Sequence, residues 1–462
     1  MKTVWVCFIG LFCLIAYAGA DHYAAQNGQT PGGPYTSWET AASNIQDAVN
    51  VAATNAVIWI GAGRYTLPTN AVANVRGTNV VYIYKPLTLR SSNSVPADTI
   101  IDGGGSNRCM DVYAPFAATN RLIVDGLTLC NGYAYGTNGG GAIAFSYNNV
   151  GWTAVVQNCV FKDNTVLSSD GDMYAGGGAI YVFNVQSYFG FIASNCVFQN
   201  NRATNTVNAT SSYAGGLALR NAGQKKLTRC VIESNSAAYA GGIHAQHSTL
   251  EIENCIIRGN RSEYKRHSSY GGGGLYLDSS SLTVRNSLLY NNWAAKSGGA
   301  IGAYGQGSNY VVELYNSTVV SNAAEIGGAI YVRPWGAEQS YNATVRLYNS
   351  IVYSNAGGNV SVTPPPAMTN IVVNSYLYPT NGFNDLVSLT GLITNPLPAF
   401  VDVAGQNYRL TRTSPCVNNG TNQAWMAGAH DLDDHSRIDR FSGMVDMGCY
   451  EHQPCGVMHM VR

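Results

Sequence analysis

The chain has 462 residues, with 26 Lys and Arg against 26 Asp and Glu, so it carries no net charge. That balance argues against a general nucleic-acid binder or a basic membrane-surface protein, and 46% hydrophobic against 11% charged residues excludes a solvated, disordered chain. With 51 Gly, 30 Tyr and abundant Asn, the composition favours strands and tight turns, an all-β fold and an extracellular setting.

At the N-terminus Lys2 precedes an apolar run over 4–17, and Ala18-Gly19-Ala20 stands before Asp21. This pattern predicts a cleavable secretory signal over 1–20. The run is shorter than the ~20 residues that span a bilayer, and no later stretch is long enough, so no membrane span is expected. Residues 21–55 read as an N-terminal cap. Within them, Ala42, Ile45, Val49 and Ala52 stand at helical spacing, which predicts a helix over 40–53 covering the first coil of the main body. A strand over 56–60 and the turn Gly61-Ala62-Gly63 then open that body, 56–380.

The body repeats. Aligned on Cys159, Cys196, Cys230, Cys255, Ser287, Ser317 and Ser350, successive positions lie 37, 34, 25, 32, 30 and 33 residues apart. Five residues after each comes an Asn: Asn164, Asn201, Asn235, Asn260, Asn292, Asn322 and Asn355. An apolar residue precedes that Asn by three, and a Gly-Gly with an apolar pair comes after a loop of variable length, as in Gly177-Gly178-Ala179-Ile180. Short alternating runs at this period fit one coil of a parallel β-solenoid, with one face in the core and the other in solvent. Stacked Asn residues would tile a corner, and stacked Cys residues would pack rather than bridge.

The Phe-x-x-Asn and Gly-Gly-Ala-Ile signatures resemble the repeats of the chlamydial polymorphic outer-membrane proteins over roughly 120–360. The resemblance implies a right-handed parallel β-helix, pectin-lyase-like in architecture, and an adhesin-like role. The barrel of that family is not expected here, because the chain ends Met458-His459-Met460-Val461-Arg462 without ~10-residue alternating strands. Residues 381–462 form a C-terminal capping module. Ser414-Pro415-Cys416, Asp431-Leu432-Asp433-Asp434 with Arg437, and Val445-Asp446-Met447-Gly448-Cys449-Tyr450-Glu451 resemble the tail of bacterial choice-of-anchor β-helix proteins. Cys416 and Cys449 stand where that tail has small residues, which suggests that they are bonded to each other; Cys109 and Cys130 are a second candidate pair. The run 431–434 is either a Ca²⁺ candidate, from its clustered carboxylates, or a cap held by Asp–Arg pairs.

Chemistry is sought on the middle coils. With Leu217/Leu219, Ile243/Ala245 and Leu275/Leu277 inward, the outward rows read Ile180, Ala218, His244, Tyr276, Ile301, Ile330 and Val182, Arg220, Gln246, Asp278, Ala303, Val332. This sets His244 beside Tyr276, and Gln246 between Arg220 and Asp278. His and Tyr are a base and an acid for proton abstraction, Arg220 matches a uronate carboxylate, and Asp278 is the one carboxylate at hand, which is lyase rather than hydrolase chemistry. The loop that carries Arg261, Lys265, Arg266 and His267, with Arg258 before it, is a candidate anionic-glycan contact. Tyr174, Tyr213, Tyr239 and Tyr270 recur before Gly-Gly runs, either as a sugar platform or as a ladder stacked on itself.

Two functions are therefore expected. The first is a secreted or cell-surface β-helix that contacts glycans or cells, with an extracellular polysaccharide or surface glycan as partner. The second is a polysaccharide lyase acting at His244, Tyr276, Arg220 and Asp278. A structural spacer is a third expectation.

Overall fold

A computed structural model of the chain describes residues 19–68, 77–113, 121–136, 139–148, 152–168, 176–185, 189–205, 212–221, 223–265, 270–305, 310–334, 343–362, 370–378 and 386–453. Residues 1–18, most of the expected signal over 1–20, and Tyr174, Arg266 and His267 lie outside the described residues. Among those described, four parallel sheets of 13, 11, 10 and 6 strands stack along one axis, and a single antiparallel pair, Phe400–Asp402 with Asn407–Leu410, stands apart. Each coil contributes one strand to each of three or four sheets, as a right-handed parallel β-helix requires.

Alternation makes the core. In the 13-stranded sheet, Ile58, Leu89, Val124, Val156, Ala193, Leu227, Ile252, Val284, Leu314 and Leu347 pair rung to rung in one inward row, all buried. The 11-stranded sheet presents Phe161 and Phe198 in the same way, with rings stacked at 4.8 Å and 4°. Each buried Leu, Ile or Phe contributes roughly 1.5–3 kcal/mol of apolar transfer, so the core is stabilised rung by rung.

The Asn positions form a continuous ladder at the corner after the 11-stranded sheet. From Asn164 to Asn322, each Nδ2 donates to the Oδ1 of the next Asn at 2.8–3.0 Å and to a carbonyl of the preceding coil at 2.8–3.1 Å. The same Oδ1 accepts the backbone N–H of the preceding Asn, as in Asn235 N to Asn260 Oδ1 at 3.1 Å. The residue before each Asn turns the corner at positive φ, for example Asn200 at 54° and Asn291 at 52°. The Cys and Ser positions line the neighbouring corner. Cys159, Cys196, Cys230 and Cys255 each donate to a carbonyl two residues back, and Ser287, Ser317 and Ser350 do the same through Oγ.

Three expectations are corrected. The helix is Ile45–Val51, shorter than 40–53, because Asn44 caps it by accepting from the Asp47 N–H, while Ala42 pairs with Ala24 as a β-bridge. The candidate disulfides are absent, and all four thiols are free and buried. Cys109 points into the core and donates to the Cys130 carbonyl, whereas the Cys130 sulfur turns outward to Arg64 and Asn131. Cys416 packs with Tyr376, Leu410 and Met447, while Cys449 packs in a separate cluster with Leu288, Tyr290 and Tyr408. Third, the solenoid runs past residue 380: Leu386–Thr390 pairs with Asn370–Val373, and Ile393 bridges to Tyr376.

The C-terminal module runs back along the solenoid's side as a strap. Asn254 and Asn286 donate to the His430 carbonyl, Asn316 to that of Asp446 and Asn349 to that of Thr421. Inside the strap, buried Arg437 pairs with Glu451 at 2.8 Å and donates to the Asp446 carbonyl.

One core position breaks the pattern. Lys225 stands between Phe191 and Leu250 in an inward row, fully buried, with Nζ donating to the Phe189 carbonyl at 2.8 Å over the Phe189 ring. Burial lowers its pKa from 10.5 to about 8.

This packing has two measurable outcomes. Asn260→Ala removes the acceptor of Asn235 and the donor of the Ile232 carbonyl, and chemical denaturation should show a loss of about 2–4 kcal/mol. Lys225→Met should be stabilising at neutral pH. The folded pKa lies below the unfolded one, so the charged amine opposes folding progressively as pH falls from 10.5 to about 8, and fully below that. At pH 7 the gain in Lys225→Met should be on the order of 3 kcal/mol, vanishing near pH 10.5; denaturation midpoints across that range measure it.

Candidate functional site

The ten-stranded sheet carries the middle-coil constellation. Leu217–Arg220, Ile243–Gln246 and Leu275–Asp278 pair in register, so Ala218, His244 and Tyr276 form one outward row and Arg220, Gln246 and Asp278 the next. Arg220 Nε donates to Gln246 Oε1 at 2.5 Å, and Gln246 Nε2 donates to Asp278 Oδ2 at 2.6 Å. The flanking coils differ from expectation. Ile180, Ile301 and Ile330 pair with the inward Leu217 and Leu275 row, and Val182, Ala303 and Val332 with the other inward row. The outward neighbours are Tyr181, Gly302 and Tyr331 in one row, and Tyr304 and Arg333 in the other. The alternation therefore keeps its phase along the sheet, and the apolar pairs are core residues.

This outward face is not wet. His244 is 0% exposed and Tyr276 is 2% exposed, while Arg220 is 9% exposed. Tyrosines from the preceding loops close over them. The His244 ring lies between Tyr213 at 4.6 Å and Tyr276 at 5.5 Å, and Tyr239 stacks on Tyr213 and Tyr264. Tyr270 then meets Tyr239 edge-on at 81°, so the described tyrosines form a ladder that packs on itself. Both His244 ring nitrogens lack a hydrogen-bond partner among the described residues. Burial pushes its pKa well below the imidazole range, with Arg220 adding to the shift, and burial raises the Tyr276 phenol well above its usual value, with Asp278 next. A neutral imidazole sealed between phenol rings has no contact through which to take a proton from a polymer in solvent.

The basic candidates fall on other faces. Arg258, in the 11-stranded sheet, donates to Glu233 at 2.6 Å and to the Tyr290 hydroxyl at 2.7 Å. Arg261, in the six-stranded sheet, lies 3.8 Å from the Trp293 ring centre and contacts Glu263. Lys265 is exposed. The sequence-derived set is thus divided over three surfaces. Trp293, Tyr264 and Tyr304 were not among the expected residues. Trp293 comes after the ladder residue Asn292 as Arg261 does after Asn260, and Tyr304 stands three after Ile301 as Asp278 stands three after Leu275, so counting from the ladders would have found both.

The acidic run is committed to structure. Asp431 accepts the N–H groups of Asp433 and His435, Asp433 pairs with Arg409, and Asp434 pairs with Arg229. Among the described residues no three His, Cys, Asp or Glu side chains converge as a metal site. Between the strap and the coils beneath it lies an open pocket of about 230 Å³ lined by Arg229, Asn254, Asp431 and Asp434.

The buried His244 sets a pH dependence. Its folded pKa is depressed, so its contribution is present above the unfolded value of 6.5 and is lost as pH falls. Wild type should lose stability below that pH with a slope approaching about 1.4 kcal/mol per pH unit from this group. His244→Phe, which keeps a ring between Tyr213 and Tyr276, should flatten the slope in denaturation measured between pH 7.5 and 5.

Residues 117–363, just over half of the chain, match the family described as right handed beta helix region. Among curated proteins, Metabotropic glutamate receptor-like protein R of Dictyostelium discoideum is 29% identical over 140 residues, 30% of this chain but only 8% of that relative. Among solved structures, pectate lyase Pel9A superposes with a TM-score of 0.56 at 15% identity, over 94% of this chain and 96% of that one. A rhamnogalacturonan lyase superposes with a TM-score of 0.46 at 14% identity, over 86% and 96%. With parallel coils stacked on an Asn ladder and a family match across most of them, the chain belongs to the right-handed β-helix family.

Proposed function

We propose that this chain is a secreted or cell-surface β-helix that binds acidic glycans without cleaving them. The observation that carries this reading is the exposed row one residue past the Asn ladder. Arg202, Ser236, Arg261 and Trp293 pair rung to rung on the six-stranded sheet. Arg202 and Arg261 are exposed and stand two rungs apart, about 10 Å. The Arg261 guanidinium rests on the Trp293 ring with Nε donating to Glu263 at 3.2 Å, which leaves its terminal nitrogens for a carboxylate or sulfate in solvent. Lys265 extends the same basic loop. An adhesin-like role accords with such a face, whose contacts repeat with the coils.

A polysaccharide lyase is the second reading. It is favoured by the juxtaposition of His244, Tyr276, Arg220 and Asp278 on three adjacent strands, and a solved neighbour of the same fold is named a pectate lyase. The burial of His244 and Tyr276 weighs against it.

The test measures retention of the purified mature protein on immobilised polygalacturonate, with the absorbance of unsaturated uronate followed in solution. Wild type should bind in a salt-sensitive manner and the absorbance should stay flat. Arg261→Met combined with Trp293→Leu should weaken binding at least tenfold in protein that keeps its β circular-dichroism spectrum. An absorbance rise lost in His244→Ala would replace this reading with the lyase, and no retention of wild type would overturn it in favour of a spacer.

A further inference from the structure

The 13-stranded sheet presents an outward row of its own, in which Thr228, Glu253, Arg285, Tyr315 and Tyr348 pair in register. Its arginines are not alike. Arg90, lower in the row, pairs with Asp125 at 2.9 Å, and Arg346, on the adjacent row, pairs with Glu313 at 2.7 Å. Arg285 has no carboxylate partner among the described residues, because Glu253, beside it in register, is taken by Lys226 at 3.1 Å. Its Nε is buried and makes no hydrogen bond. The guanidinium is instead held between rings, 5.4 Å from Tyr315 and 5.9 Å from Trp425. Tyr315 is backed by Tyr348, stacked at 4.9 Å and 8°.

Trp425 comes from the strap. Buried Met426 anchors its short turn, and Gln423 accepts from the indole N–H at 2.6 Å, which fixes the ring edge-on to Tyr315 at 78°. The result is a half-buried cation whose long stem is immobilised and whose charge is uncompensated. An arginine in that state gains most from a carboxylate that fits its fork, and the Trp425 indole beside it offers an apolar wall for the C–H face of a ring.

We propose that Arg285, Trp425 and Tyr315 form a subsite for the carboxylate of a uronate sugar, on the 13-stranded sheet at the edge of the strap. The proposal takes its ligand class from the glycan-binding reading above, but its surface is separate from the Arg261–Trp293 row. Because the strap supplies one wall, the subsite exists only while the strap is docked along the Asn254–Asn349 turns.

The experiment titrates tetragalacturonate into the full chain carrying Arg261→Met and Trp293→Leu, so that the first surface is disabled, and reads tryptophan fluorescence. A saturable change is expected, absent in the same background with Trp425→Phe. Arg285→Met should weaken the affinity at least tenfold, and Arg285→Lys, which keeps the charge but not the fork, should recover only part of it. Neutral cellotetraose should give no change, and thermal melts exclude variants that unfold. A change that persists in Arg285→Met, or no change in the double-variant background, overturns the subsite. Unaltered polygalacturonate binding in the Arg261/Trp293 variant that disappears with Arg285→Met would instead remove the six-stranded surface and leave this one.

Discussion

The hydrogen-bond saturation of the Asn ladder is the constraint on which the solenoid depends. A buried primary amide has two donors and one strong acceptor, and any of them left unmade costs about as much as a well-formed bond provides. Here the Asn201 Nδ2 donates both protons, to the Phe161 carbonyl below and the Asn235 oxygen above, and its Oδ1 accepts both the Nδ2 and the backbone N–H of Asn164. Among the described residues no other kind of side chain makes that set of bonds from one rung to the next. The corner therefore has one geometry, and every coil must present a residue at positive φ just before it, such as Asn200 or Ser234. Register from the Asn164 coil to the Asn355 coil is set in consequence, because a coil that slipped by one residue would lose its Asn and turn its core outward.

With that corner fixed, variation in coil length is displaced to the other side of the section. Coils of 25 to 37 residues differ in two loops, the one before the Gly-Gly pair and the one after the strand that follows it, and the pair itself is where the first of these loops re-enters the stack. A Cβ at Gly178 would meet the Gly215 carbonyl at 2.3 Å, so the re-entry tolerates no side chain. The loops then lie on the ten-stranded sheet, and their tyrosines bury its outward row beside Ala214, Ala218, Ala240 and Tyr276. What the alternation makes a solvent face becomes a second, aromatic core. His244 is sealed for that reason, and burial, with the Arg220 charge adding to it, holds it neutral.

The sequence carried the fold because stacking is nearly one-dimensional: the Asn period, the Cys/Ser period and the Gly-Gly pairs each report a contact between residues one coil apart. The phase of the middle strands was legible for the same reason, since Leu217, Ile243 and Leu275 share a position after Gly-Gly. Ile180, Ile301 and Ile330 stand one residue later, because Ala179, Ala300 and Ala329 follow the pair in those coils, so counting from the pair turns them outward, whereas their rung-to-rung pairing with Leu217 and Leu275 turns them inward. Burial of His244 was not legible. It depends on where Tyr213, Tyr239 and Tyr264 fold back, and loop paths of unequal length have no period to read. The strap was hidden likewise: its bonds to Asn254, Asn316 and Asn349 span between 72 and 177 residues and use backbone carbonyls, which leave no side-chain signature.

These facts decide where such a molecule can meet a polymer. The ten-stranded face is covered by its own loops, and the 11-stranded face is covered in its upper coils by the strap, through Leu288, Tyr290 and Val320 against Tyr408 and Tyr450. The 13- and six-stranded sheets keep half-exposed rows. On each of these two, a guanidinium resting on an aromatic ring stands in the row, Arg261 on Trp293 and Arg285 on Tyr315. A stacked guanidinium has already lost rotamer freedom and part of its hydration, so less is given up on binding than at a free surface arginine. A chain-like ligand that reached more than one such point would gain by effective concentration what each contact lacks in strength. Its affinity would then depend on the coil spacing, and the Asn ladder, on a different corner, would set it.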